Sequence, residues 1–179
     1  MAEAVARKGF ADTTIADLAA GARVSRRTFY EHFTTKEHCL IALYEAASHQ
    51  ALGVLRDAIE PTHDPLTQAE HALQAYLATM ASNPALLKTL FVAILGMGPA
   101  GLTARRRVNQ ALADFIVEVV NRPHEGRQHP PLSDTLAMSI VGGINELVLQ
   151  RVEQDRISEL TGLADTTARF VRAVVYGAR

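Results

Sequence analysis

The sequence predicts an all-α protein in two parts. An amino-terminal domain over residues 1–45 carries a three-helix helix-turn-helix, and a larger helical domain fills residues 46–179, for about nine helices in total. Three observations carry this expectation. Apolar residues recur at helical spacing along nearly the whole chain, while alternating strand patterns and Asn-Gly hairpin turns are missing. Capping residues, glycines and prolines punctuate the chain at helix-length intervals. The stretch "TTIADLAAGARVSRRTFYEHF", residues 13–33, compresses two short helices around a tight turn, and the second is crowded with outward-reaching groups.

The first helix is expected to run to Lys8 and close on Gly9, because glycine adopts the left-handed conformation that ends helices. It has under three turns, so further residues are expected ahead of Met1, and "MAEAVARKGF" lacks the three regions of a signal peptide. Thr14, with Asp17 three residues on, is a capping-box-like start for a helix to about Ala20. "GARV" is the turn. Ser25 can cap a third helix to His32 or Phe33, and Thr34 with Glu37 forms the box for a long helix to about Ile59. Asp64-Pro65 and Asn83-Pro84 each set an N-cap residue before a proline at the first helical position. After Pro65 a stripe of Leu66, Ala69, Leu73, Tyr76, Leu77 and Met80 shares one face, opposite Gln68, Glu70 and Gln74. "GMGPAG" interrupts the chain at 96–101, and a helix of about 20 residues follows with Arg105 to Arg107 early in it. "NRPHEGRQHPP" reads as a polar loop whose His124 and His129 are solvated rather than metal-binding. Ser133 opens a helix to about Gln154, and the last helix ends near Tyr176-Gly177 after a break at Asp155 to Ile157.

Composition narrows the function classes. Eighteen Lys and Arg against nineteen Asp and Glu leave a formal charge of −1, which excludes a polycation that coats nucleic acid over its whole surface. Any nucleic-acid site must therefore be local, and residues 7–36 supply one: six basic residues against three acidic ones. The single cysteine, Cys39, excludes an intrachain disulfide and fits a reducing, cytoplasmic setting. No run of about 18 apolar residues is present, so a soluble protein without a membrane span is expected. No H-E-x-x-H, phosphate loop, G-x-S-x-G or Cys/His metal spacing occurs, so neither catalytic residues, nor a metal, nor a cofactor is expected.

On the second short helix, Phe29 and Phe33 are four apart and suit the core, while Arg26, Arg27, Tyr30 and His32 project elsewhere. Arginine can bridge guanine O6 and N7, and hydroxyls can hold phosphates; from charge alone, a solvated helix face is as good a reading. The linear pattern decides. "TTIADLAAGARVSRRTFYEHFTTKEHCL" resembles the amino-terminal DNA-binding segment of the TetR family, with Thr14, Ala19, Val24, Ser25, Thr28, Tyr30, His32, Phe33, Lys36, Glu37 and Leu40 in matching places. Arg23 departs from it, standing where the family usually has the turn glycine, so a turn of different build is expected there. The resemblance implies phosphate contacts from Thr14, Thr28, Tyr30, His32 and Lys36, and base reading chiefly by Ser25, Arg26 and Arg27. It implies a homodimeric repressor that binds a palindromic double-stranded DNA operator and is released by a small-molecule effector.

The remainder resembles that family's effector-binding and dimerisation part. Tyr76, Met80, Phe91, Leu95, Met97 and Phe115 are candidates to line an apolar cavity, with Asn145 the most informative polar candidate; each also suits plain core packing. That lining holds no fixed charge, so a neutral apolar or aromatic effector is expected. Gly142 and Gly143 weaken a helix unless close packing uses them. The resemblance puts the last two helices in a dimer interface, with Leu136, Ile140, Gly142, Gly143, Leu147, Phe170, Val171 and Val174 available for it. The competing reading is a helical adaptor or ligand-binding protein without specific DNA binding.

Overall fold

The computed structural model describes residues 1–59, 65–123 and 130–177, with the backbone alone at 65 and 66. Among them nine α-helices follow in order: α1 (Ala2–Asp12), α2 (Ile15–Ala22), α3 (Arg26–His32), α4 (Lys36–Asp57), α5 (Pro65–Ala81), α6 (Pro84–Lys88), α7 (Gly98–Val120), α8 (Asp134–Glu153) and α9 (Ala164–Gly177). The all-α expectation holds for these residues. Asp64, the side chain of Leu66, and the loop with His124 and His129 lie outside them.

Helices α1 to α3 form a small head around Ala4, Leu18 and Phe29, with Ile15, Phe33 and Cys39 packed alongside. Two of its caps match the sequence reading. The Thr14 side chain accepts from the Asp17 N–H while Asp17 accepts from the Thr14 N–H, and the Ser25 hydroxyl accepts from the Thr28 N–H. Three expectations need correction. Gly9 does take a positive φ of 79°, but helix resumes beyond it to Asp12, because the Thr13 hydroxyl donates to the Gly9 carbonyl and ties the next turn down. Thr35, not Thr34, caps α4, accepting from the His38 N–H at 3.0 Å. Arg23 does not change the build of the turn. It sits in the left-handed region, φ 56° and ψ 39°, while its N–H donates to Ala20 O and that of Val24 to Ala19 O. This is the Schellman arrangement that glycine usually supplies, held here at a cost of about 1–2 kcal/mol for a residue with a Cβ.

Helix α4 runs unbroken through residue 45, so the head continues into the body inside one rigid helix. In the body, α4 packs on α5 and α7, and α7 on α8, with α9 closing over α5 and α8. The main core gathers Leu77, Ile140, Val148, Val152 and Leu160, all nearly inaccessible. Leu73, Tyr76 and Leu77 of the predicted α5 stripe are buried, and Ala72 joins them.

The expected break at "GMGPAG" is confined to Gly98. Between α6 and α7 the chain stays helical through a π-helical turn at Thr89–Ala93 and a 3-10 turn at Leu95–Met97. Gly98 (φ 60°, ψ −145°) absorbs the change of direction, and Gly101 lets α7 start against it: a Cβ there would lie 2.2 Å from the Ile94 carbonyl oxygen. The fused stretch Pro84–Val120 contains an 18-residue window of mean hydropathy 1.7, long and apolar enough to span a membrane, contrary to the sequence expectation. Leu87, Leu90, Ile94, Ala104 and Ala113 within it are buried against α1, α4 and α8, which accounts for their apolar character as core.

Candidate nucleic-acid interface and internal cavities

Helix α3 presents its polar face outward. Arg26, Arg27, Tyr30 and His32 are exposed, with Tyr30 at 57%, while Phe29 anchors the other side, 6% exposed and stacked edge-on to Tyr30. Arg27 Nε lies 3.3 Å from Glu31 Oε1 one turn later, an exposed pair that holds the guanidinium without neutralising it permanently. The hydroxyls of Thr14, Ser25 and Thr28 already serve helix starts: Thr14 with Asp17, and Ser25 with Thr28. Lys36 has another use altogether. Its ammonium donates to the carbonyls of Phe10, Ala11 and Thr13 at 2.8–3.0 Å and lies over the Phe10 ring. All three of its N–H donors are taken by the end of α1, so the structure gives it the work of holding α1 to α4 rather than a free charge for phosphate. The Lys8 ammonium, 2.7 Å from Asp17, is the main cause of that carboxyl being held well below the usual range, with the Thr14 hydroxyl and N–H adding to it.

The body holds three adjoining chambers, each partly open to solvent. The innermost, about 80 Å³, is walled by apolar side chains including Leu55, Leu73, Phe115 and Val171. Tyr76, Leu112 and Asn145 separate it from a middle chamber of about 230 Å³ that adds Ser48, Thr79, Asn83 and Asn109 to Met80 and Phe91. Tyr44, Leu90, Phe91 and Asn145 are shared with an outer chamber of about 40 Å³, where Leu95, Arg105, Glu146 and Leu149 stand. Asn145 Nδ2 donates to Asn109 Oδ1 at 3.1 Å across the α7–α8 seam.

Of the sequence candidates, Tyr76, Met80, Phe91, Leu95, Phe115 and Asn145 line these chambers. Met97 does not. It packs with Tyr44, Ile94 and Ala104 beneath the 3-10 turn, because the helix persists where a loop was expected. The expectation of an uncharged lining also needs correction at Arg105 and Glu146. Sequence reasoning missed Tyr44, Arg105 and Asn109. Asn109 carries the signal that picked out Asn145, a lone amide on an apolar helix face.

The α8–α9 candidates divide too. Ile140 is fully buried in its own subunit's core, Val171 lines the inner chamber, and Leu136, Leu147, Phe170 and Val174 are half-buried against that core. A Cβ on Gly143 would come within 2.9 Å of Phe170 Cε1 of the same chain, so its close approach is internal. Gly142 is exposed and faces open space.

A short helix with an exposed polar face on a small head, joined to a larger helical body with pockets, is the architecture of a helix-turn-helix protein. Residues 2–43 match the model of the bacterial regulatory proteins of the tetR family. The amino-terminal segment is thus similar to the DNA-binding segment of the TetR family, and the whole chain has the fold of that family's solved members. The transcriptional regulator EthR of Mycolicibacterium smegmatis is 33% identical over 79 residues, 44% of this chain and 36% of that protein. The matched stretches span only about a third or less of the length of the curated relatives. Among solved structures, the transcriptional regulator FadR from Bacillus subtilis, in complex with stearoyl-CoA, superposes with a TM-score of 0.79 at 17% identity, covering 99% of this chain and 95% of that one. The repressor FadR of Thermus thermophilus, in complex with lauroyl-CoA, gives 0.69 at 21% identity, covering 97% and 90%.

Proposed function

We propose that this protein is a dimeric transcriptional repressor of the bacterial cytoplasm that holds a palindromic operator through α3 and lets go when an elongated apolar molecule fills its chambers. The carrying observation is the pairing of an outward Arg26-Arg27-Tyr30-His32 face with internal cavities one element away. The link between them is short. Phe91, which walls the middle and outer chambers, sits in the same π-helical turn as Thr89, whose hydroxyl donates to the Ala2 carbonyl of α1 at 3.2 Å. A ligand that pushes Phe91 repositions α1, and Lys36 passes that movement to α4 and the head. Such a ligand acts only to the extent that it binds one arrangement of the heads better than the other, a coupling of typically about 1–3 kcal/mol.

Two-fold pairing follows from the reading itself, because one short helix contacts few base pairs and two half-sites multiply specificity. The outward faces of α8 and α9, with Gly142 and Glu146 on one and Arg169 and Arg172 on the other, are the surfaces offered for it. Relatives named as transcriptional regulators support a binding role over catalysis. Selection of bound duplexes from a random pool at low salt tests the proposal: an enriched palindrome is expected, and recovery of none refutes it.

A further inference from the structure

Two residues other than glycine hold a left-handed backbone among the described residues, and they differ in what the fold gains from it. Asp155 (φ 56°) is of a type that tolerates this conformation, and its carboxylate lies 3.6 Å from the Lys88 ammonium. Arg23 (φ 56°, ψ 39°) has neither advantage. Arginine finds no local hydrogen bond that favours this region, and the exposed Arg23 guanidinium makes no ion pair or hydrogen bond among the described residues. The carboxylates of the two helices it joins, Asp17 and Glu31, already face Lys8 and Arg27. A glycine would close the same Schellman turn without steric cost, so strain that serves nothing inside the subunit points to a task outside it.

Position says which task. Arg23 stands in the turn between α2 and α3, two residues ahead of the Ser25 cap, and every residue from Ala20 to Arg27 is exposed, so no other part of the subunit covers this corner. In a helix-turn-helix the first residues of the second helix reach base edges, and the phosphates bordering the groove lie beside them. Arg23, Arg26 and Arg27 place three guanidiniums within five residues there, like charges that repel one another until a polyanion neutralises them.

We propose that Arg23 is a phosphate clamp particular to this chain, its guanidinium gripping the sugar-phosphate backbone at the edge of the groove that α3 enters. A guanidinium meets a phosphate through two parallel N–H donors, and because the contact is to backbone it adds affinity for any sequence and no preference among bases. The glycine usual at this turn has no side chain to do so. The inference rests on the DNA-binding reading above and adds a contact to it.

The test compares the full-length protein with Arg23→Gly, Arg23→Asn and Arg23→Lys. Fluorescence anisotropy over a range of salt follows binding to the duplex that selection with the wild-type protein enriches, and to a random-sequence duplex of equal length. Arg23→Gly and Arg23→Asn accept the left-handed backbone but carry no charge; both should bind both duplexes about tenfold more weakly, with a salt slope lower by about one unit for each recognition helix engaged. Arg23→Lys should recover the slope and most of the affinity. Without DNA, Arg23→Gly should melt about 2–4 °C higher, the shift expected from relieving one left-handed residue in a chain of this size. Unchanged affinity and slope in Arg23→Gly overturn the contact, and a loss on the selected duplex alone overturns its assignment to phosphate. Wild-type binding by Arg23→Asn beside weak binding by Arg23→Gly traces the effect to backbone stiffness and overturns the role of the charge. A lower melting temperature for Arg23→Gly shows that the fold itself uses the arginine and overturns the argument from strain. If the wild type enriches no palindrome, the repressor reading falls together with this inference; if it does and the Arg23 variants bind as the wild type does, this inference alone falls.

Discussion

Lys36→Met removes one charge and keeps the aliphatic stem, and the structure says where the effect falls. The lost ammonium served three carbonyls at the end of α1, at 2.8–3.0 Å, and the face of Phe10. A hydrogen bond to a charged group contributes about 1.5–3 kcal/mol, and a cation over an aromatic ring about 0.5–1. The three bonds share one half-buried donor and do not add, so the expected loss is about 2–3 kcal/mol, comparable to one strong charged bond plus the ring contact. Urea denaturation should show a lower midpoint at constant slope, and amide exchange should speed up in α1 before the body. Because the Lys36 ammonium is engaged by the Phe10, Ala11 and Thr13 carbonyls, the salt dependence of DNA binding should keep its slope. Unchanged stability with a slope reduced by about one unit would mean that Lys36 binds a phosphate, refuting the reasoning.

Glu31→Gln frees Arg27 from its exposed pair and should tighten operator binding up to about fivefold, while Arg27→Ala should cost about 1–3 kcal/mol and relax preference at one base position, both read by gel shift. Gly143→Leu should destabilise the subunit by about 2–3 kcal/mol in urea, since even a Cβ there meets the Phe170 ring at 2.9 Å. Gly142→Leu, by contrast, should leave folding intact and weaken self-association in sedimentation; an unchanged dimer removes Gly142 from the interface. Asp17, with its folded pKa depressed by Lys8 and Thr14, contributes stability that is complete above its unfolded value of about 3.9 and fades as pH falls below it. Asp17→Asn should therefore flatten the loss of stability in acid, and an identical acid profile would show that the ion pair does not couple to folding.

Much of the head was legible because its information is local. Ser25 and the Thr14-Asp17 box act within one turn, and the Phe29 and Phe33 spacing fixes which side of α3 is buried, leaving Arg26, Arg27, Tyr30 and His32 outside. The helical repeat likewise placed α8 and the end of α9, while a 3-10 stretch at Ile157–Leu163 stands where α9 was expected to begin. Where neighbours in space decide, the reading failed. Lys36 and the α1 carbonyls are more than twenty residues apart in sequence, and nothing near Lys36 announces them. Thr34 and Thr35 are equivalent as letters, and only the path of the chain out of α3 selects the second as the cap.

The sequence by itself determined the helix class, the recognition face and the apolar character of the body, since period, caps and motif spacing are properties of consecutive residues. Tertiary structure alone decided which apolar and polar groups share a chamber. Tyr44 on α4, Tyr76 on α5, Arg105 and Asn109 on α7, and Asn145 on α8 meet only when four helices pack together. It also decided that Gly143 yields to Phe170 inside the subunit while its neighbour Gly142 stays open, a distinction of one residue that turns a side chain position by about 100° around the helix.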